Sequence, residues 1–197
     1  AFKSFSLVFN LASLFRESGY EVKSVILDRA VVHAIVLKDG SANWDIMKDT
    51  TETATATEET DTTKSALKIQ LKKLSILNSS ISYNDESSAI AAYLNNLNFN
   101  MKGDMTMSQT DMQLALNIGE VTFQMEDLKY LNKALVDAKF DLLADLDKMN
   151  FTLRENYFAL NDLKLNFTGM VAMPGDNIET DLKFGTAKTS FKTLLSL

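Results

Sequence analysis

The chain has 197 residues, 46% of them hydrophobic and 23% charged, which is enough apolar material for a sizeable core and too much for wholesale disorder. A formal net charge of −6, with no run of Lys or Arg, speaks against nucleic-acid binding, because that requires cations to displace condensed counterions. Zero cysteines remove disulfide frameworks, thiol nucleophiles and thiolate metal sites together.

In chain order, Phe5, Leu7, Phe9 and Leu11 stand two apart and predict a strand. Leu11 to Glu17, stopped by Ser18 and Gly19, predicts a short helix. Val31 to Leu37 is an apolar strand-like run that contains the only histidine, His33. Lacking a second His, any Cys and any HExxH or triad-like setting, it reads as a packed or surface strand histidine and not as a ligand. Asp39-Gly40 predicts a tight turn, after which the sole tryptophan, Trp44, is expected to anchor that turn against a sheet. Asp49 to Thr63 has no large apolar side chain and predicts a mobile acidic, Thr-rich loop; it lacks the spacing and turn glycine of a calcium loop.

Beyond that loop, alternation dominates: Leu97, Phe99 and Met101; Leu114, Leu116 and Ile118; Val121, Phe123 and Met125; Phe140, Leu142, Ala144 and Leu146; Leu163, Leu165, Phe167, Gly169 and Val171. Asn, Asp, Lys, Ser, Thr and Gln lie between them, so each strand has one oily and one wet face, the pattern of antiparallel sheets solvated on one side. Tyr130 to Leu135 is a possible helical turn. Leu94 to Gly103 (LNNLNFNMKG) and Leu160 to Gly169 (LNDLKLNFTG) share five of ten residues at an offset of 66, which suggests that a unit over 73–119 recurs at 139–185. The predicted fold class is mainly β: an extended, curved antiparallel meander built from repeated units, with one or two short helices. Residues 1–48 carry the first strands, 49–64 the loop and 65–197 the repeated meander, all in one continuous sheet.

No GxGxxG, P-loop or nucleophile elbow occurs. The carboxylate pairs Asp137 and Asp141, and Asp145 and Asp147, fall on the wet side of their strand, where solvated charges that discourage edge pairing explain them better than acid–base work. The chain is therefore expected to be no enzyme, with no catalytic, metal or cofactor residues.

The stretch Asp39-Gly40-Ser41-Ala42-Asn43-Trp44-Asp45-Ile46 resembles the DG-x-x-NW-x-I signature of the AsmA family. The preceding Tyr20 to Asp28 resembles the strand that comes before the motif in that family, and Leu71 to Ile76 with Ile81 to Asp85 resembles its next segment. Asp39, Gly40, Asn43, Trp44 and Ile46 are thereby singled out as a structural motif. The family's membrane-spanning helix and first strands are absent from the sequence, which reads as part of something longer. The resemblance implies a periplasmic protein tethered to the inner membrane through that missing N-terminal anchor, supporting outer-membrane biogenesis. It further implies a relation to bridge-like lipid-transfer proteins, whose curled sheets carry lipid tails along a greasy trough.

The residues add a physical reason. An acyl chain of about 16 carbons that enters water forfeits roughly 13 kcal/mol at ~0.8 kcal/mol per methylene, so a conduit must replace apolar contact continuously. One-faced strands can do so, and nine methionines adapt to irregular chains. The expected lipid-facing residues are Leu97, Phe99, Met101, Leu114, Leu116, Ile118, Phe140, Leu142, Leu146, Leu163, Leu165, Phe167 and Val171, with a phospholipid or other envelope lipid as partner, together with envelope proteins. The alternative is a structural or interaction scaffold of the envelope whose stripes close on each other as a sandwich core.

Overall fold

The computed structural model describes residues 1–10, 20–45, 69–104, 107–175 and 177–186, and every regular element among them is a strand. In chain order these are β1 (Ser4–Phe9), β2 (Tyr20–Asp28), β3 (Val31–Val36), β4 (Ile69–Leu71), β5 (Lys73–Asp85), β6 (Ile90–Lys102), β7 (Gln109–Met125), β8 (Leu128–Asp145), β9 (Asn150–Leu160), β10 (Leu163–Ala172) and β11 (Glu179–Thr186). All eleven join one open sheet in the order β1-β2-β5-β6-β7-β8-β9-β10-β11, with β3 beside β5 and β4 beside β2. The predicted helix at Leu11–Glu17, the acidic loop at Asp49–Thr63 and Ile46 lie outside the described residues.

From β5 to β11 the chain is an up-and-down antiparallel meander, as alternation and short polar turns dictate. The N-terminal part corrects the expectation of a purely antiparallel sheet. Strands β2 and β3 both run parallel to β5, with Val25 beside Leu74 and Val32 beside Ile81, and β4 runs parallel to β2. Parallel neighbours need a long connection between them, and alternation carries no information on strand direction.

Tyr130 to Leu135 is strand and not helix: the segment opens β8, paired with β7 through Leu131↔Phe123 and Ala134↔Val121. Its irregular look comes from a bulge at Lys133, which takes φ 55°. The repeated LN segments also fold differently. Leu94 to Gly103 lies along β6 and just past its end, whereas Leu160 to Gly169 turns back between β9 and β10. Asn96 and Asn161, one position out of step in the aligned segments, both adopt left-handed backbone, at φ 54° and 50°. Asn tolerates that conformation, and it makes a bulge in one place and a hairpin turn in the other.

A line of bulges crosses five neighbouring ladder positions. Arg29-Ala30, between β2 and β3, faces Asn78-Ser79 of β5, where the Ala30 N–H donates to Ser79 Oγ at 3.0 Å and the Ser80 N–H to the Ala30 carbonyl at 2.8 Å. The Asn78 N–H reaches Asn98 Oδ1 at 3.0 Å; Asn96 bulges in β6 against Gly119 of β7; and the Lys133 N–H in β8 reaches Thr122 Oγ1 at 3.2 Å. Side chains thus satisfy backbone donors that the ladder misses, and each bulge bends its strand, so the line creases the sheet.

Tight turns rely on local carboxylates. Asp85, buried at the end of β5, accepts from Ser87 N and Oγ at 2.9 and 2.6 Å and from Ser88 N and Oγ at 3.1 and 2.6 Å. The Ser87 and Ser88 hydroxyls and amides hold its carboxyl well below the usual aspartate value. A carboxylate with a depressed folded pKa stabilises above its unfolded value, near 3.9, and loses that contribution as pH falls toward the folded value. Asp85→Asn is therefore expected to flatten the acid limb of a stability–pH profile below about pH 4 while lowering stability at neutral pH, measured by urea melts across pH 2–7.

Candidate functional site: one apolar face on a single-layer sheet

The ladder register places the alternating sets on one side of the sheet. Leu74, Met101, Leu114 and Phe140 are successive partners across β5 to β8, as are Ile76, Phe99, Leu116 and Ala138. All thirteen residues expected to face lipid lie on this side. Side chains missed by the sequence reading extend it in both directions: Phe5 and Leu7 of β1 stand opposite Leu27 and Val25, and Phe184 of β11 stands opposite Phe167. Their alternation was visible, but only pairing shows that the face is continuous from β1 to β11.

Two buried clusters occupy its middle. Met101, Met112, Leu142 and Ala144 form one, flanked by Phe99, Leu114, Phe140, Leu146, Phe151 and Leu153; Leu97, Ile118 and Val136 form the other. No second layer of secondary structure covers them among the described residues. They are shielded by neighbouring side chains of the same face that pack against them. Phe140 and Phe167 show this packing: they sit on strands flanking β9, about 9.5 Å apart by normal strand spacing, yet their rings lean together until the centres are 5.8 Å apart. Beneath them Asn156 is buried with its amide engaged, Oδ1 accepting from the Asp141 N–H at 2.7 Å and Nδ2 donating to the Phe167 carbonyl at 3.4 Å.

Of the thirteen residues, Leu97, Met101, Ile118 and Leu142 are buried and belong to these clusters, while the other nine are half-buried and offer contact area. Toward the margins the face opens. Phe5 is 53% exposed, Leu128 58% and Phe184 65%.

The DG-x-x-NW motif closes one corner. Gly40 takes φ 83° in the turn, and Asp39 Oδ1 accepts from Ser41 N and Oγ at 3.0 and 2.6 Å. Asn43 then covers the outer edge of β3 like a short strand: its N–H donates to the Ile35 carbonyl at 3.0 Å, its Oδ1 accepts from the Ile35 N–H at 3.0 Å, and its Nδ2 donates to the His33 carbonyl at 2.8 Å. Trp44 stacks on Tyr83, ring centres 6.4 Å apart, and remains 48% exposed. Since Tyr83 follows Ile81 at strand spacing, the indole lies over one end of the apolar face.

The opposite face is polar. His33 is exposed, with Nδ1 2.7 Å from Ser82 Oγ. The Asp137 and Asp141 carboxylates lie in an interior strand and not at an edge, so they do not guard against edge pairing. Asp137 accepts from the Tyr157 hydroxyl and from Asn117 Nδ2, and these bonds, that from Tyr157 foremost, lower its pKa, while the bond to Asp137 raises that of Tyr157. Asp141 shares Arg154 with Asp111, at 2.6 and 2.7 Å. Asp145 accepts from the Lys148 N–H at 3.0 Å and so shapes the β8–β9 turn, where Asp147 is exposed.

Among the described residues no group of three or more His, Asp or Glu is placed to hold a metal ion, and no helix is long and apolar enough to cross a membrane. No family model, no curated protein and no solved structure matches this chain.

Proposed function

We propose that the protein is a non-catalytic, AsmA-like envelope module that binds or conducts lipid acyl chains along the apolar face and so supports outer-membrane biogenesis, anchored at the inner membrane and working in the periplasm. The supporting observation is the apolar side of an open, single-layer sheet, continuous over nine neighbouring strands and left uncovered at its margins among the described residues. A protein that used these stripes only as a core would place a second layer on them. An acyl chain laid there replaces water against Phe, Leu and Met side chains without needing a polar partner, which matches a face that offers scarcely any. The scaffold alternative is favoured by nothing as specific: its requirement, stripes closed against a second sheet, is not met by the described strands.

Trp44 gives the direct test, being the only tryptophan and lying over the end of this face. Addition of a phospholipid below its critical concentration is expected to shift Trp44 emission to the blue and to saturate, and native mass spectrometry of the full chain is expected to show bound lipid. An unchanged spectrum together with lipid-free mass peaks would reject the reading.

A further inference from the structure

The polar face carries a feature that the lipid reading does not use. Lys73 of β5 and Lys102 of β6 are direct cross-strand partners, an arrangement that brings two ammonium-bearing chains within about 5.5 Å at Cβ and is unfavourable for like charges. Two strands further on, Lys139 of β8 stands opposite Ala115 of β7. Ala115 is too small to fill its place, and the surrounding side chains leave a depression of about 580 Å³ lined by these three lysines, Asn100, Gln113 and Glu155 among others.

The charges around it are unevenly committed. Asp141, also at the rim, is taken by Arg154 Nε and Nη2 at 2.8 and 2.6 Å. Asn100 Oδ1 accepts from Ser75 Oγ at 2.8 Å, which leaves its Nδ2 as a donor. Lys73, Lys102 and Lys139 make no ion pair within 4 Å among the described residues; Lys139 lies over the Tyr157 ring, 6.0 Å from Nζ, and its charge is felt by Asp137. Three lysines against two lining carboxylates, Asp141 and Glu155, leave an excess of one positive charge, in a chain whose net charge is −6. An anion seated between the ammonium groups relieves the Lys73–Lys102 repulsion and takes hydrogen bonds from the two amides.

We propose that the depression over Ala115 is a binding site for a phosphate-class dianion, held by Lys73, Lys102 and Lys139 with Asn100 and Gln113 as neutral donors. Either inorganic phosphate or the phosphomonoester end of a larger molecule has this chemistry. The site is on the side opposite the apolar face, so it stands or falls separately from the lipid reading.

Titration of the full ¹⁵N-labelled chain with inorganic phosphate, against chloride at matched ionic strength, is expected to give saturable shifts of the Lys102, Gln113, Ala115 and Lys139 amides. Lys73→Gln/Lys102→Gln/Lys139→Gln is expected to weaken binding at least tenfold, whereas Lys183→Gln on β11 is expected to leave it unchanged. Circular dichroism of the triple variant verifies that it folds, and the single Lys102→Glu is a second variant expected to lose binding. Glycerol 3-phosphate distinguishes the sources: tighter binding than inorganic phosphate assigns a phosphomonoester headgroup, and equal binding assigns free phosphate. Shifts that never saturate, that spread equally over lysines elsewhere, or that persist in the triple variant overturn the proposal.

Discussion

Leu142→Asp is expected to unfold the protein, whereas Phe184→Asp is expected to leave it folded and to weaken the acyl-chain binding proposed above. Alternation treats the two positions alike, since each is an apolar residue on the oily side of a strand. Burial separates them. Leu142 is 8% exposed within the cluster of Met101, Met112 and Ala144, so a carboxylate there meets no compensating cation and costs about 3–5 kcal/mol, a large share of the ~5–15 kcal/mol that holds a domain together. Phe184 sits on the outermost strand, 65% exposed and 6.1 Å ring to ring from Phe167. An aspartate there stays hydrated and puts charge where a lipid tail would rest. Urea melts check the first effect, and displacement of a fluorescent fatty acid checks the second, with the wet-face Lys164→Asp as control. Binding by Phe184→Asp that equals that of the unmodified chain would count against lipid contact at this margin.

Gly169→Ala is expected to detach β11 from the sheet. Gly169 takes φ 135°, a conformation that side-chain-bearing residues rarely adopt, and a Cβ built there falls 2.0 Å from the Asp181 carbonyl oxygen. That contact is with backbone and cannot be relieved by a rotamer change, so either β10 straightens or β11 withdraws. Since β11 pairs only with β10, withdrawal is the cheaper outcome. Hydrogen exchange is expected to show faster exchange over Glu179–Thr186, while the amides of β6 to β8 keep their protection. Gly40→Ala makes the contrast: its φ is also positive, but nothing lies within 4 Å of an added Cβ, so only backbone strain of about 1–2 kcal/mol remains. Equal effects of the two substitutions would contradict the close approach of β10 to β11.

Much of this was written in the residue order. Apolar residues at every second position along Leu97 to Met101, Phe140 to Leu146 and Leu163 to Val171 determined both that these segments are strands and which of their sides is oily, because successive side chains in a strand point to opposite faces whatever the partner. Asp39-Gly40 likewise determined its own turn. The thirteen candidate residues lie on one face for the same reason.

Tertiary structure decided what depends on partners. Alternation has the same period in parallel and antiparallel strands, so the parallel docking of β2 and β3 on β5 had no signature in the order of residues. Left-handed asparagines at 96 and 161 permit a bulge or a hairpin equally, and only the neighbouring strands selected one for each. The bulge at Lys133 broke the local pattern enough to suggest a helical turn where β8 begins. Above all, which oily residues are buried and which are exposed follows from where each strand lies in the sheet's order and from the lack of a covering layer among the described strands. Those are properties of eleven strands together, and no single strand encodes them.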